Sequence, residues 1–555
     1  MKKFDYRLVK LGTRLQDRSI ETESASIESG ILQVHFNEDL SLTLEAKERI
    51  YIDEVYFDLA FESCNKIVMF RNGFQSWSPS YQIQPHTKFE RCLMPVLRYD
   101  YLDPKNFSET RSHFFTYLKD SDDYLLLVPE DNSLKVSFEM IDQKTLRIYF
   151  EIGKQIDGDF STQKIETKHT KSLALDKKTH KKIYGWTSWY YYYRNVNPEE
   201  LLRNIENIDK LPFALDFFQI DDGWQRSVGD WVENEKFKGQ LKMIAETLNK
   251  KGVTPGIWLA PFVAERNSDI FRKHKDWLIK DESDNPQPIG FNPTWSGYFY
   301  ALDPMDNSVL DYLADKITFL RQIGFKMFKF DFLYSLLVTH KNKKEDITRI
   351  ERFNKGMNTL KSAIGKGSTL LGCGAPVILE KGLYDYLRIG PDTKDGWEDT
   401  LTRMIRFQGR VSAKNSLRNT ITRSFINEKY FVNDPDVVFL KPKKLTEDEK
   451  NTILVTNYFL SDFIFFSDPI YQLEKKDFEL LLQLENYQNF KLQSVEELKK
   501  DVFKFSGSVD DSTIKGLVNL TDEKYIPTEL NREIILGKTG QSVLPHATQV
   551  YKTRE

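Results

Sequence analysis

The stretch that decides the fold is Lys326-Met327-Phe328-Lys329-Phe330-Asp331-Phe332-Leu333-Tyr334. Side chains alternate between the two faces of a strand, which predicts three phenylalanines, Phe332 among them, on one face and Lys329 and Asp331 on the other. A cation and a carboxylate on one face suit a barrel strand whose inner face reaches the barrel mouth while its outer face packs on helices. Lys329 is expected to favour the ionised form of Asp331, as a nucleophile requires. A purely structural Lys–Asp pair is the alternative interpretation.

Length and composition bound the class of protein. A chain of 555 residues is too long for one ordinary hydrophobic core, so two to four domains are expected. The formal net charge of -3 and the pI near 6.3 argue against nucleic acid as the main partner. The three cysteines, Cys64, Cys92 and Cys373, are odd in number and far apart, so neither a disulfide framework nor a zinc site is expected. No metal and no cofactor are predicted.

The cellular location follows from apolar patterning. The N-terminal residues 1–7 are charged and lack the apolar stretch of a signal peptide. No apolar run is long enough to span a bilayer. We therefore expect a soluble, cytoplasmic protein with no membrane partner, whose state as monomer or homo-oligomer is open.

Patterning divides the chain into three segments. Short alternating runs between Asn, Asp, Gly and Ser turn signals predict an N-terminal antiparallel β-sandwich over residues 1–178, and the charged segment 176–182 is the expected connector. Residues 179–468 are expected to form a catalytic barrel. Residues 469–555 begin with a helical pattern at 476–485 and continue with short β-like runs, which predicts a small C-terminal β domain.

The middle segment alternates strand-like and helical patterns. Asn197 and Pro198, for example, are typical of a helix cap and a first helical residue. Eight alternating units predict a (β/α)8 TIM barrel, so that the whole chain is a multidomain α/β protein. The predicted strands lie at 183–190, 217–222, 254–259, 326–334, 368–373, 386–389, 430–433 and 463–466.

Residues with useful chemistry collect at the carboxyl ends of these strands, where the loops of this fold build active sites. Aromatic faces cover the C–H patches of a pyranose ring, and charged groups bond its hydroxyls, so the set is typical of a sugar site. Each member also has an ordinary structural interpretation, such as core packing, a helix cap, a turn or, for the adjacent aspartates, a metal site. The residues are Trp189, Tyr190, Asp221, Asp222, Trp258, Lys329, Asp331, Cys373, Arg388 and Asp392.

Two carboxylates from different strands favour glycoside hydrolysis. Asp331 would attack the anomeric carbon, and Asp392 would protonate the leaving oxygen and then deprotonate a water molecule. The distance between the two carboxylates distinguishes retaining from inverting chemistry, and the sequence does not contain that distance.

The motifs that carry this chemistry resemble those of glycoside hydrolase family 36, the microbial α-galactosidases. The likeness runs in order through the whole predicted barrel. The matching stretches are Gly185-Trp186-Thr187-Ser188-Trp189-Tyr190, Phe218-Gln219-Ile220-Asp221-Asp222, Gly229-Asp230-Trp231, Pro255-Gly256-Ile257-Trp258-Leu259-Ala260-Pro261-Phe262, Lys329-Phe330-Asp331-Phe332-Leu333, Leu371-Gly372-Cys373-Gly374, Arg388-Ile389-Gly390-Pro391-Asp392-Thr393, Leu417-Arg418-Asn419-Thr420-Ile421-Thr422-Arg423 and Asn433-Asp434-Pro435-Asp436.

The resemblance implies a retaining mechanism with Asp331 as nucleophile and Asp392 as acid/base, on a sandwich–barrel–small β domain arrangement. It places Asp221 and Asp222 on the 4- and 6-hydroxyls of galactose, with Trp258 close by. It implies that Lys329, Cys373 and Arg388 surround the remaining hydroxyls and that Trp189 and Tyr190 line the pocket. The stretch 71–77 is similar to one through which the sandwich inserts a tryptophan, here Trp77, into the site, and Phe74 replaces a tryptophan of the family.

The function predicted from all of this is an exo-acting α-galactosidase that cleaves terminal α-galactose from oligosaccharides or glycoconjugates. An α-N-acetylgalactosaminidase on the same scaffold is the first alternative, and room beside Cys373 and Gly374 would decide between the two. An α-galactosyl transferase is the second alternative, in which a sugar replaces water. A sugar-binding protein without catalysis is disfavoured, because it needs neither a nucleophile nor an acid.

Overall fold

The computed structural model describes residues 4–173, 181–342, 346–510, 512–529 and 531–553. Within these ranges the chain forms antiparallel sheets, then a parallel barrel, then a further antiparallel sheet, which confirms the predicted multidomain α/β class. Across the same ranges, every helix is too short or too polar to cross a membrane.

The N-terminal part is a sandwich of two antiparallel sheets with eight and five strands. The long strands β5 and β12 run side by side, with Phe57 opposite Ile148, and both side chains are fully buried. Leu125 and Leu127 of the second sheet point into the same core, as the alternation of apolar residues requires. The strands are β1 Arg7–Leu15, β2 Ser19–Thr22, β3 Ser26–Glu28, β4 Leu32–Phe36, β5 Leu42–Ala60, β6 Val68–Arg71, β7 Tyr81–Ile83, β8 Ser112–His113, β9 Thr116–Asp120, β10 Asp123–Pro129, β11 Lys135–Met140, β12 Thr145–Ser161 and β13 Ile165–Thr170.

The middle part is a parallel barrel, and all eight predicted strand positions are occupied. The sheet order is β23-β22-β21-β20-β16-β15-β14-β25-β24. Because β23 and β24 are two pieces of one chain segment, the two ends of this order meet and the barrel closes. The strands of this part are β14 Ile183–Thr187, β15 Phe217–Ile220, β16 Thr254–Leu259, β17 Val263–Glu265, β18 Pro288–Asn292, β19 Gly297–Ala301, β20 Met327–Phe330, β21 Thr369–Gly372, β22 Tyr386–Arg388, β23 Val432–Asp434, β24 Val437–Val438 and β25 Phe463–Phe466.

Helices connect most of the barrel strands, and local sequence signals define their ends. The side chain of Asn197 accepts a hydrogen bond from the backbone of Glu200, with Pro198 as the first helical residue, as predicted. Thr348 and Glu351 form a capping box at another helix start. The helices are α1 Trp189–Tyr192, α2 Pro198–Glu206, α3 Leu241–Lys250, α4 Asp269–Lys273, α5 Asn307–Gln322, α6 Arg349–Ile364, α7 Thr400–Met404, α8 Ala413–Thr422 and α9 Glu447–Leu460.

Two predicted strands end earlier than expected. The first ends at Thr187, and Trp189 and Tyr190 begin the short helix α1. The fourth ends at Phe330, after which Phe332 takes a left-handed conformation with φ 57°. The prediction that Phe332 shares the outer, helix-packed face is therefore wrong, because this turn in the backbone ends the alternation of side chains.

The C-terminal part packs on the barrel. It contains helix α10 and a five-stranded antiparallel sheet of order β26-β27-β28-β30-β29. Phe459 of α9 contacts Phe505 of this sheet, with ring centroids 5.3 Å apart. The predicted boundary after residue 178 and most of the predicted connector lie outside the described residues, and the boundary after residue 468 stays a prediction. The elements are α10 Glu479–Leu484, β26 Lys491–Lys499, β27 Val502–Val509, β28 Ser512–Asn519, β29 Arg532–Leu536 and β30 Thr548–Thr553.

Candidate active site

A cavity of about 160 Å³ opens at the carboxyl ends of the barrel strands. Its floor is the packed interior of the barrel, where Met327 of β20, on the same face of the strand as Lys329, and Gln219 of β15 are fully buried. The cavity therefore ends blindly, and a ligand enters from the loop side alone. The lining residues are Trp77, Asp100, Trp189, Asp221, Asp222, Trp258, Phe291, Asn292, Trp295, Phe299, Lys329, Asp331, Phe332, Asp392, Phe407, Gly409 and Val411.

Asp331 lies directly after β20 and is held by donors from two elements. The indole Nε1 of Trp258 donates to its Oδ2 at 3.0 Å, and the backbone N–H of Phe332 donates to its Oδ1 at 2.8 Å. The backbone N–H of Asp331 itself donates to the carbonyl of Leu259 on the neighbouring strand. Each carboxylate oxygen thus has a donor that stabilises its negative charge and restricts its direction.

Lys329 forms its ion pair with Asp221 rather than with Asp331. Its Nζ lies 2.8 Å from Oδ2 of Asp221, and both side chains are almost completely buried. Burial alone would lower the pKa of Lys329, but the charge of Asp221, together with those of Cys373 and Asp331, outweighs burial and raises it. Lys329 is therefore a cation at the cavity wall.

The pKa of Asp331 is raised, although the sequence predicts that Lys329 keeps this carboxyl group ionised. Burial raises the pKa of Asp331, the charge of Lys329 opposes that rise, and the charge of Asp392 adds to it. The net direction is upward, so Lys329 alone does not keep the carboxyl group at its ordinary pKa. Asp331 consequently ionises at a higher pH than an exposed aspartate.

Asp222 points into the cavity beside Asp221 and has donors of its own. Trp295 Nε1 donates to its Oδ2 at 2.8 Å, and Gln225 Nε2 donates to its Oδ1 at 2.6 Å. The Nε of Arg194 lies 3.5 Å from Oδ1 of Asp222. Burial raises the pKa of Asp222. The adjacent aspartates form a rigid acceptor surface suited to hydroxyl groups.

Arg388 binds carboxylates rather than facing open space. Its Nη1 lies 2.9 Å from Oδ1 of Asp392, its Nε 2.9 Å from Asp434 and its Nη2 2.9 Å from Asp436. Tyr190 donates its hydroxyl to Asp436. Three predicted binding residues, Tyr190, Cys373 and Arg388, are therefore not among the lining residues but contact the acidic side chains around the cavity. Burial and the charge of Asp331 raise the pKa of the Cys373 thiol.

The sandwich supplies Trp77 on a loop that is bound firmly to the barrel. The guanidinium group of Arg423 donates to the carbonyls of Asn72, Ser76 and Ile389, so that one buried cation joins the loop to β22. Burial lowers the pKa of Arg423 to about 9. The backbone N–H of Ser76 also donates to the carbonyl of Ala375, at 2.8 Å. Trp77 is positioned by both domains together.

The Trp77 ring fills the space beside Gly374. A Cβ atom at Gly374 would lie 2.9 Å from Cη2 of Trp77, closer than van der Waals contact allows. The ring also meets Phe332 edge to face, with centroids 4.9 Å apart. Its Nε1 is buried and has no hydrogen-bond partner within the described residues. An acceptor on a bound ligand would satisfy this donor.

Sequence reasoning missed several residues of the cavity wall. Phe332, which the alternation of side chains predicts on the opposite face of the strand, lies in this wall, and its ring centroid is 5.1 Å from that of Trp295. Trp295 lies between β18 and β19, in the three-stranded sheet that is inserted between two barrel strands. The sequence signal that could have indicated it is a tryptophan directly after the turn residues Asn292-Pro293-Thr294. Asp100 comes from the sandwich and accepts from Tyr334 at 3.1 Å. No pattern in the sequence connects it with the barrel.

A metal site is not supported by the side chains present. In the parts of the chain that the structure describes, no group of three or more His, Cys, Asp or Glu residues is arranged to hold a metal ion. Three of the four carboxylate oxygens of Asp221 and Asp222 face side-chain nitrogen donors, and the fourth, Oδ1 of Asp221, accepts from a backbone N–H.

Comparison with known proteins gives consistent matches. A family model described as Melibiase matches residues 164–358. The α-galactosidase AgaA of Geobacillus stearothermophilus is 28% identical over 139 residues, 24% of this chain and 18% of that protein. The α-galactosidase of Escherichia coli is 28% identical over 141 residues, 24% of this chain and 19% of that protein. The aligned part of the chain thus spans less than one fifth of these relatives' length.

Solved structures match over most of the chain. One of them is an α-galactosidase from Thermus thermophilus in complex with p-nitrophenyl α-D-galactopyranoside. The two chains are 26% identical with a TM-score of 0.68, and the match covers 87% of this chain and 98% of the other. The likeness therefore extends beyond the segment that the family model matches.

Proposed function

The chain belongs to the melibiase family of glycoside hydrolases, and from this premise we propose that it is an exo-acting, retaining α-galactosidase. It releases terminal α-linked galactose from oligosaccharides or glycoconjugates by double displacement. The observation that carries the proposal is the placement of Asp331 and Asp392, which follow the barrel strands β20 and β22, on one blind cavity. A blind cavity admits the end of a glycan and excludes its interior, which supports exo action.

In the first step, a carboxylate oxygen of Asp331 attacks the anomeric carbon and forms a glycosyl ester. The bond between that carbon and the glycosidic oxygen breaks, and Asp392 transfers its proton to the departing oxygen. Trp258 and the backbone N–H of Phe332 orient the attacking carboxylate. Orientation of this kind lowers the entropic part of the barrier.

In the second step, Asp392, now ionised, removes a proton from a water molecule. The resulting hydroxide attacks the anomeric carbon, the ester bond to Asp331 breaks, and galactose leaves with its α configuration. Arg388 lies 2.9 Å from Asp392 and stabilises the ionised form that this step requires.

The wall residues suit a galactose ring in the inner part of the cavity. Asp221 and Asp222 provide carboxylate acceptors for hydroxyl groups, and Lys329 provides a buried donor. The rings of Trp189 and Trp258 offer apolar faces to the C–H groups of the sugar. Charged hydrogen bonds against fixed partners give such a site its selectivity for hydroxyl positions.

Galactose is favoured over N-acetylgalactosamine by the position of Trp77. We place the 2-position of the sugar beside Cys373 and Gly374, and the Trp77 ring fills the space next to Gly374. A 2-acetamido group would have to displace this ring, whereas a hydroxyl group would not. Displacing a ring held by Phe332 and by a domain interface costs packing energy.

A paired assay tests the proposal. The purified protein is expected to hydrolyse p-nitrophenyl α-galactoside with a clearly higher kcat/KM than p-nitrophenyl α-N-acetylgalactosaminide. NMR of the first-formed sugar is expected to show α-galactose, and product analysis at high sugar concentration reports any transfer. Preference for the acetamido substrate would contradict the choice of sugar, and β-galactose as first product would contradict retention.

Replacing Trp77 by alanine tests its place in the cavity. Trp77→Ala is expected to raise KM for the galactoside roughly tenfold, equivalent to about 1.4 kcal/mol of lost contact. It also opens space beside Gly374, so the ratio of kcat/KM values is expected to move toward the acetamido substrate by about tenfold. Trp77→Phe is the matched control and is expected to show a smaller change in both. An unchanged KM and an unchanged ratio would mean that Trp77 does not contact the sugar.

A further inference from the structure

Arg388 forms ion pairs with three carboxylates at once. Its Nε and Nη1 donate hydrogen bonds to Asp434 and Asp392 at 2.9 Å, and its Nη2 lies 2.9 Å from Oδ1 of Asp436. Arg388, Asp434 and Asp436 are at most 1% exposed, whereas the side chain of Asp392 is 32% exposed. One carboxylate therefore reaches the cavity, and two remain behind the guanidinium group.

This arrangement answers a chemical difficulty of the proposed mechanism. A general acid must hold a proton in the first step, but an arginine at 2.9 Å favours the ionised form of a carboxyl group. With Arg388 as its sole charged neighbour, Asp392 would be a poor acid. Asp434 by itself balances the single positive charge of Arg388, and Asp436 adds a further negative charge when it is ionised, so the group behind Asp392 is no longer cationic.

Asp436 is held in place more tightly than a simple counter-ion needs to be. Its Oδ2 accepts from the backbone N–H of Thr393 at 2.8 Å and from the hydroxyl of Tyr190, while Oδ1 faces Arg388. Its backbone is left-handed, with φ 79°, at the break between β23 and β24. Its N–H donates to Oδ1 of Asp434 at 2.8 Å. Strained backbone at a functional site persists where surrounding contacts maintain it.

We propose that Asp436, together with Asp434, is a positioning residue that offsets the charge of Arg388, so that Arg388 holds Asp392 in place without depriving it of its proton. The inference rests on the proposed function, because it assigns the acid role to Asp392. Thr393 follows Asp392 directly and bonds Asp436, so the same carboxylate also fixes the loop that carries the acid.

The charged and titratable groups around Arg388, Asp392, Asp434 and Asp436 come from several elements of the barrel. Burial raises the pKa of Asp436, Arg388 opposes the rise, and Asp392 and Asp434 add to it. The groups facing Asp436, Asp392 or Arg388 are Asp434, Tyr190, Tyr193, Asp331, Lys329 and Cys373.

Asp436→Asn tests the proposal through the pH dependence of kcat/KM. Removing a negative charge near Asp392 favours its ionised form, so the alkaline limb, where the acid loses its proton, is expected to move to lower pH by about one unit. The acid limb, where Asp331 ionises, is expected to move much less. At neutral pH, kcat for melibiose is expected to fall more than kcat for p-nitrophenyl α-galactoside, with little change in KM.

Asp434→Asn and Asp436→Glu complete the set. Asp434→Asn removes the other negative charge and is expected to move the alkaline limb in the same direction, which keeps the test valid if Asp436→Asn does not fold. Asp436→Glu keeps the charge and is expected to leave the limb near its wild-type position. A lower melting temperature with an unmoved alkaline limb in the charge-removing variants would overturn the inference.

The proposed function and the inference fail in different ways. If the wild-type protein hydrolyses neither aryl substrate, the proposed function fails, and the inference fails with it. If the wild-type protein hydrolyses the galactoside but its alkaline limb is the same in the Asn variants, the inference alone is overturned.

Discussion

Asp331→Ala is expected to lower kcat for every α-galactoside by on the order of 10⁴ to 10⁶-fold, the range seen when a covalent nucleophile or its partner is removed. The reason is that no glycosyl ester forms without the carboxylate that Trp258 and Phe332 orient. The change leaves the barrel intact, because Asp331 lies after the end of β20 and its backbone N–H still bonds Leu259. Stopped assays with both aryl and natural substrates measure the loss.

Two controls make this result specific. Asp311→Ala removes an exposed carboxylate from α5 and is expected to keep wild-type activity. Added azide occupies the space of the missing carboxylate in Asp331→Ala and is expected to yield β-galactosyl azide from an activated substrate, because it attacks from the nucleophile's side. Near-normal turnover by Asp331→Ala, at a wild-type melting temperature, would refute the nucleophile assignment.

Asp392→Ala is expected to separate substrates by their leaving groups. A general acid contributes about 10² to 10⁴-fold, and we expect a loss of that size for melibiose or raffinose, whose leaving sugar needs a proton. For p-nitrophenyl α-galactoside the loss in the first step is expected to be far smaller, because nitrophenolate departs without protonation. The ratio of kcat/KM for the two substrate types is the measurement.

Asp395→Ala is the matched control for this loop. Asp395 accepts from the backbone N–H groups of residues 443–445 and is absent from the cavity wall. Its removal is expected to affect both substrate types equally if it affects either. Equal losses for both types in Asp392→Ala would show that Asp392 is not the acid.

The fold was predictable because its signals are local. Most barrel strands are short, buried runs, several of them are followed at once by a polar residue such as Asp221 or Asp331, and helix caps such as Asn197 lie between strands. Eight such units determine a barrel by count alone.

The residues of the site were predictable for the same reason. In this fold the residues that follow a strand lie at the barrel mouth, so Asp221, Asp331 and Asp392 could be placed together before any distance was known.

The tertiary structure decided which groups bind one another. Lys329 and Asp331 are two residues apart, yet Lys329 pairs with Asp221 from another strand, because the barrel brings the strand ends closer than neighbours on one strand. Phe332 left its predicted face because a left-handed turn follows Phe330. Positive φ at a phenylalanine is unfavourable by itself, so no local pattern predicts it.

The sequence by itself thus determined the order of elements, the eight strands and the residues at their carboxyl ends, since these depend on spacing and on side-chain type. The resemblance had implied Trp77 in the site, but only the tertiary structure placed Asp100 from the sandwich in the wall of a barrel cavity, and only it gathered Asp392, Asp434 and Asp436 on Arg388. These contacts join residues that are distant in the chain or lie on different strands. Their energies come from burial and from opposite charges at about 3 Å, which a linear pattern of residues does not record.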